Sequence, residues 1–274
     1  MTIEGVDYSL GRPDPVCLFN AGKRFACRYV SSPGGIDKDM SPTETRALTA
    51  AGIAIVTNYE DAIDSMLNGF AFGKEKALMS DEHARLCGMP SSKPIYFSVD
   101  FDASTSQLEN QITDTFHGCI DAIGLDRVGA YGGLRTIKFL FDHNLIKWGW
   151  QTFAWSGGIW DSRAHVQQYN NAETLCGVSL DLDRAMVADY GQWFAFQLEE
   201  EDMSDVLEAL AAVAKTLKED RATAERRHKT VVSILVRLDE LEAILSHKPN
   251  LIDFRQMARG QIEAFAADTA RESE

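Results

Sequence analysis

The feature that most constrains this chain is an alternation of short β-rich runs with stretches of helical character, sustained up to about residue 197. The strand candidates are Ile3–Tyr8, Phe25–Val30, Ile53–Tyr59, Pro94–Asp100, Arg127–Tyr131, Trp148–Trp155, His165–Tyr169 and Ser179–Asp183. Between them lie helix-like stretches such as Ser41–Ala51, Gly69–Cys87, Thr105–Ile123 and Leu134–His143. Ser41, Pro42 and Glu44 read as an N-cap, a first-turn proline and a capping-box acid. Strands joined mostly by helical crossovers predict an α/β fold, specifically a (β/α)8 TIM-type barrel over residues 1–197. A doubly wound sheet is the structural alternative.

The texture changes after residue 203. Met203, Leu210, Leu217, Ala224, Val231, Leu238 and Leu245 recur every seven residues, with Val206, Val213, Ile234 and Leu241 at the partner positions. Asp220 and Arg227 interrupt the pattern. A heptad repeat of this kind predicts a long coiled-coil-like helix. Pro249 and its polar neighbours break it, and a second helix is expected from Leu251 to about Ala270. Residues 198–274 are therefore expected to form a helical appendage for oligomerisation or docking, with residues 203–270 contacting a second copy or other virion or envelope proteins.

Composition narrows the partners. The formal net charge is −14, which disfavours nucleic acid, whose binding depends on neutralising phosphates. No run approaches the 18 or so apolar residues of a membrane span, and the N-terminus lacks the basic-then-apolar order of a secretory signal. The expectation is no membrane insertion and no signal peptide. The 5 cysteines, Cys17, Cys27, Cys87, Cys119 and Cys176, are odd in number and widely spaced without a CxxC pair. They read as small buried hydrophobes in a reducing compartment, not as a disulfide framework or a zinc site.

In an α/β barrel the catalytic groups sit at the carboxyl ends of the strands. Those ends carry Asp7, Glu60, Asp100 with Asp102, and Asp181 with Asp183. Asp100 and Asp102 are two apart, so an extended chain points both to one side. Crowded carboxyls repel one another, which lets one keep its proton near neutrality while another stays ionised. Glycoside hydrolysis requires that division of roles. Aromatic rings, including Tyr8, Tyr29, Tyr131 and Trp155, accompany the acids and could pack on sugar faces. Gln151 and Gln168 could bond hydroxyls. No HExxH, GxSxG, GxGxxG or P-loop motif is present, so neither a metal nor a cofactor is expected.

Several segments taken together resemble a known family. They are Gly5-Val6-Asp7-Tyr8-Ser9, Cys27-Arg28-Tyr29-Val30-Ser31, Pro94 to Asp102 (PIYFSVDFD), Val128 to Gly133 (VGAYGG), Trp150 to Ser156 (WQTFAWS), His165-Val166-Gln167-Gln168-Tyr169 and Leu180-Asp181-Leu182-Asp183. In this order they resemble the glycoside-hydrolase-like barrel domain of actinobacterial cell-wall and actinobacteriophage proteins, itself distantly similar to the Chalaropsis-type muramidases. The resemblance spans about residues 3–193. It implies that Asp7 matches the muramidases' first acid and Asp100 the first acid of their Asp-x-Glu motif. Asp102 stands where they carry the catalytic Glu, and Asp181 or Asp183 matches the last-strand acid. An Asp carboxyl reaches about one methylene less far than Glu, so Glu60 is the other candidate proton donor.

Two functions follow as expectations. The first is a hydrolase directed at peptidoglycan or another cell-wall glycan, with Asp7, Glu60, Asp100, Asp102 and Asp181 catalytic. Tyr8, Tyr29, Tyr131, Gln151, Trp155, Gln168 and Asp183 would bind substrate. The second is a non-catalytic glycan-binding or structural virion module, assembled through its C-terminal helices. Either reading places the protein in a phage particle, or in the host cytoplasm before release.

Overall fold

The computed structural model describes residues 2–31 and 37–195. The heptad segment and the second helix expected after it lie outside the described residues.

The eight expected strands are present as β1 (Ile3–Asp7), β2 (Phe25–Val30), β3 (Ala54–Tyr59), β4 (Ile95–Ser98), β5 (Val128–Gly132), β6 (Trp148–Thr152), β7 (Val166–Leu175) and β8 (Val178–Ala185). They close into a barrel in sequence order. The helices are α1 (Pro15–Asn20), α2 (Pro42–Ala50), α3 (Gly69–Leu86), α4 (Thr105–Gln107), α5 (Thr113–Ile123) and α6 (Leu134–Asp142). A π-helical turn, Leu108–Ile112, joins α4 to α5.

The barrel corrects the expected fold class. A (β/α)8 TIM-type barrel, followed by a coiled-coil-like segment, requires eight parallel strands and eight crossover helices. Here β1 to β7 are parallel, but β8 runs antiparallel to both β7 and β1. The result is a closed, mixed eight-stranded β-barrel with few helices, none of them between β6 and β8. The reason is local. β7 and β8 are joined by Cys176 and Gly177 alone, with φ of 53° and 77°. Two residues of positive φ make a primed hairpin turn, whereas a parallel connection needs a dozen or more residues.

β2 and β3 are buried along their whole length, as expected of strands covered on both faces. Alternation divides their side chains between two cores. Phe25, Cys27, Ala54, Val56, Tyr96, Tyr131, Trp150, Val166 and Ala185 fill the barrel interior. Val6, Ala26, Val30, Ile53, Ile55, Ile95 and Phe97 face the surrounding helices and loops. Gly5 is required by this filling, because a Cβ there would stand 2.3 Å from the Phe25 ring.

A disulfide joins Cys17 on α1 to Cys176 in the β7–β8 turn, correcting the expectation of five reduced cysteines. Cys27, Cys87 and Cys119 are free and buried. Sequence separation hid the pair: its members are 159 positions apart, and barrel closure brings them together.

Candidate active site

The interior alternation of each strand, continued past the apolar layer, lays out the site. On β1 it passes from Gly5 to Asp7, and on β2 from Cys27 to Tyr29. On β3 it reaches Asn58, on β5 Tyr131, on β6 Thr152 and on β7 Gln168. β8 runs the other way and enters through Asp181 before Asp183. The paired register of Asp7 with Asp181 and Gly5 with Asp183 places both β8 acids against β1.

These polar groups bond to one another. Asp7 accepts from the Tyr29 hydroxyl at 3.1 Å and from Gln168 Nε2 at 2.8 Å. The same Nε2 donates to Asp181 Oδ2 at 3.1 Å. Gln168 Oε1 accepts from the hydroxyls of Tyr131, at 2.9 Å, and Thr152, at 2.7 Å. Asp181 Oδ1 accepts from the Ala172 backbone N–H at 2.8 Å. Trp150 Nε1 donates to Asp183 Oδ1 at 2.8 Å. Below the mouth, Asn58 and Ser98 bond reciprocally.

Burial without full compensation raises the carboxyl pKa values. Asp7 is pushed up to about 7, first by burial and then by the charge of Asp181, against the bonds from Gln168, Asp183 and Tyr29. Asp183 is 0% exposed and lies well above the usual carboxylate range, by burial and then by the charge of Asp7. Among the described residues no N–H or O–H donor reaches Asp183 Oδ2. The neighbouring Asp7 carboxyl therefore favours the protonated form of this acid. Asp181 is raised as well, by burial, with its bond from Ala172 opposing. Asp100, just beyond β4 and half-buried, is pushed up to about 6, first by burial, then by Glu60, with Lys38 opposing.

Glu60, just beyond β3, is ion-paired with Lys38 at 2.8 Å. Lys38 also lies over the Tyr29 ring, 5.2 Å from its centroid. Sequence reasoning missed Lys38 because it stands in a loop, where neither alternation nor a motif marks it.

Other expected site residues fall elsewhere. Asp102 does not share the setting of Asp100: β4 ends at Ser98, so extended alternation stops before it. Its side chain is 51% exposed and lies 3.5 Å from Arg135 on α6. Tyr8 follows the outward alternation of Val6. It is 3% exposed, donates to Glu44 and lies under the Arg28 guanidinium, 4.1 Å from the ring centroid. Gln151 also faces outward and is used up on the loop after β6. It donates to Ser156 Oγ and the Ile159 carbonyl and accepts from the Asp161 N–H. That loop carries Trp155, 43% exposed and in the left-handed region at φ 55°. Among the described residues, no group of three or more His, Cys, Asp or Glu side chains is arranged to hold a metal ion.

A closed barrel whose strand ends gather buried carboxyls of raised pKa defines a glycoside-hydrolase-like domain. The chain belongs to the Rv2525c-like, glycoside hydrolase-like domain family, whose model matches residues 16–187. It is 31% identical over 199 residues to the Mycobacterium tuberculosis protein named "Putative peptidoglycan hydrolase Rv2525c", covering 69% of this chain and 82% of that one. The crystal structure of the Tat-secreted M. tuberculosis Rv2525c in complex with L-tartrate superposes with a TM-score of 0.65 at 30% identity, over 69% of this chain and 98% of that one. An uncharacterized B. stearothermophilus protein shares the fold, with a TM-score of 0.51 at 16% identity over 67% and 95% of the two chains. The family resemblance read from the sequence is therefore correct. The expected location in a virion or the host cytoplasm is overturned, because the matched relative is a Tat-secreted protein.

Proposed function

We propose that this domain hydrolyses glycosidic bonds in cell-wall peptidoglycan, outside the cytoplasm. The carrying observation is the unequal treatment of carboxyls around one barrel mouth. Asp100, half-buried with a pKa near 6, is the proton donor to the leaving oxygen. Asp181 takes two N–H bonds, which favour its charged form, and faces the developing oxocarbenium-like charge or activates water. Glu60, ion-paired with Lys38, stands near enough to Asp100 to favour the protonated form of that acid by repulsion. Asp7 and Asp183 lie deeper, behind these groups. Tyr29 and Tyr131 line the wall of the mouth, and Trp155 offers an exposed ring for a sugar face.

The peptidoglycan assignment is supported by the name of the M. tuberculosis relative. An extracytoplasmic setting is supported by that relative's Tat secretion and by the Cys17–Cys176 disulfide, since such bonds persist in oxidising compartments.

The test is release of reducing ends from purified peptidoglycan by the wild-type chain and by Asp100→Asn. Release by the first and loss of at least about 100-fold in the second are expected. Wild-type protein that binds the glycan but releases nothing would leave a binding module and overturn the assignment to turnover.

A further inference from the structure

Gln168 stands at the centre of the site, and every hydrogen-bonding position on its amide that the site can reach is taken. A glutamine offers two N–H donors and one carbonyl with two lone pairs. Both lone pairs are occupied, by Tyr131 and Thr152. The carboxylates of Asp7 and Asp181 set the orientation of the amide, because an ionised carboxylate only accepts and so turns the NH2 towards itself and the oxygen towards the two hydroxyls. The NH2 group must therefore face Asp7 and Asp181, with one bond to each. The residue is 5% exposed. No bonding capacity remains for a sugar hydroxyl.

We propose that Gln168 is a positioning residue and not a substrate ligand: one amide nitrogen bridges Asp7 and Asp181 and so decides which carboxyls of the site carry protons. The inference rests on the reading of this mouth as the active site. Without the bridge, Asp7 and Asp181 would be adjacent negative charges across the β1–β8 pairing, and one of them would take a proton. With it, Asp7 ionises beside Asp181 at about pH 7 and no higher, while Asp183 keeps its proton. Asp181 is then free to act as a carboxylate. The groups that bear on Asp7 are Asp181 and Asp183 from β8, Tyr29 and Cys27 from β2, Tyr131 from β5 and Gln168 from β7. Of these, Gln168, Asp183 and Tyr29 favour the charged form of Asp7, and Gln168 also donates to Asp181.

The proposal makes a claim about titration that does not require turnover. In the full chain with labelled aspartate and glutamine side chains, the Asp7 carboxyl is followed by NMR against pH in wild type and in Gln168→Met. The variant keeps the length of the side chain and removes both donors. Loss of a hydrogen bond to a charged group should move the Asp7 midpoint upward by about one to two pH units. An unchanged midpoint overturns the proposal. If the variant does not fold, the wild-type protein still decides. Both Gln168 amide protons should exchange slowly with water, and their shifts should follow the Asp7 titration. Fast exchange of either proton, or shifts insensitive to that titration, overturns it equally. Absence of glycan hydrolysis by the wild type would remove the proposed function while leaving this test readable.

Discussion

Asp183, fully buried on β8, is electrostatically coupled to Asp7 across the β1–β8 pairing, and burial together with that coupling raises both carboxyls well above the ordinary carboxylate range. Two acids facing each other inside an apolar barrel cannot both be charged at low cost, so the pair retains a proton into the neutral range.

The pair sets a stability profile. The raised pKa of Asp7, about 7, means that the folded chain binds more protons than the unfolded chain between about pH 4 and 7. Stability should therefore fall as pH rises through that window, and the full penalty, on the order of a few kcal/mol, should be present above it. Thermal unfolding at pH 5.5 and pH 8 checks this. Asp183→Asn, neutral at every pH, should reduce the difference; an undiminished difference would exclude the pair as its source.

Asp100 and Asp102 should separate sharply despite their closeness in sequence. Asp100→Asn should remove at least about 100-fold of the rate. As a proton donor with a pKa near 6, Asp100 should also make the wild-type rate decline as pH rises above that value. Asp102→Asn, at an exposed pair with Arg135, should retain turnover and change stability by less than about 1 kcal/mol. Steady-state rates across pH 4–9 for the three proteins test both statements.

The disulfide fastens the hairpin that carries Asp181. Replacing Cys17 and Cys176 by Ser should cost about 2–5 kcal/mol, since the bond joins residues 159 positions apart. A dithiol reductant should lower the unfolding midpoint of the wild type and leave that of the Cys17→Ser, Cys176→Ser variant unchanged.

Arg28 should be indispensable for folding rather than for chemistry. It is fully buried, is ion-paired with Glu44 at 2.6 Å, and donates to the Tyr8 and Lys38 carbonyls. Arg28→Met leaves Glu44 with the Tyr8 hydroxyl and with Arg12 at the edge of the cluster. A loss of about 3–5 kcal/mol in denaturant unfolding is expected.

Much of the barrel was legible because strands buried on both faces are rich in apolar, aromatic and β-branched residues and are bounded by turns, as β2, β3 and β4 are. The acids were legible for a related reason. A carboxylate that ends an apolar strand stands out against its neighbours, as Asp7 and Asp100 do. Alternation would also have sorted Tyr8 and Gln151 away from the mouth, since each lies one residue out of phase with Asp7 and Thr152. Asp102 failed differently: two residues of spacing place side chains on one side only while the chain stays extended, and the strand ends before it.

The sequence by itself determined where the strands lie, which acids end them and which family the chain joins, because these follow from local periodicity and from the order of short motifs. Tertiary structure alone decided the direction of β8, the pairing of Cys17 with Cys176, the ion pair of Glu60 with Lys38 and the bridging of Asp7 and Asp181 by Gln168. Each joins groups brought together by hairpin formation or barrel closure. Their energies depend on burial and on the geometry of partners distant in sequence, neither of which a linear pattern encodes.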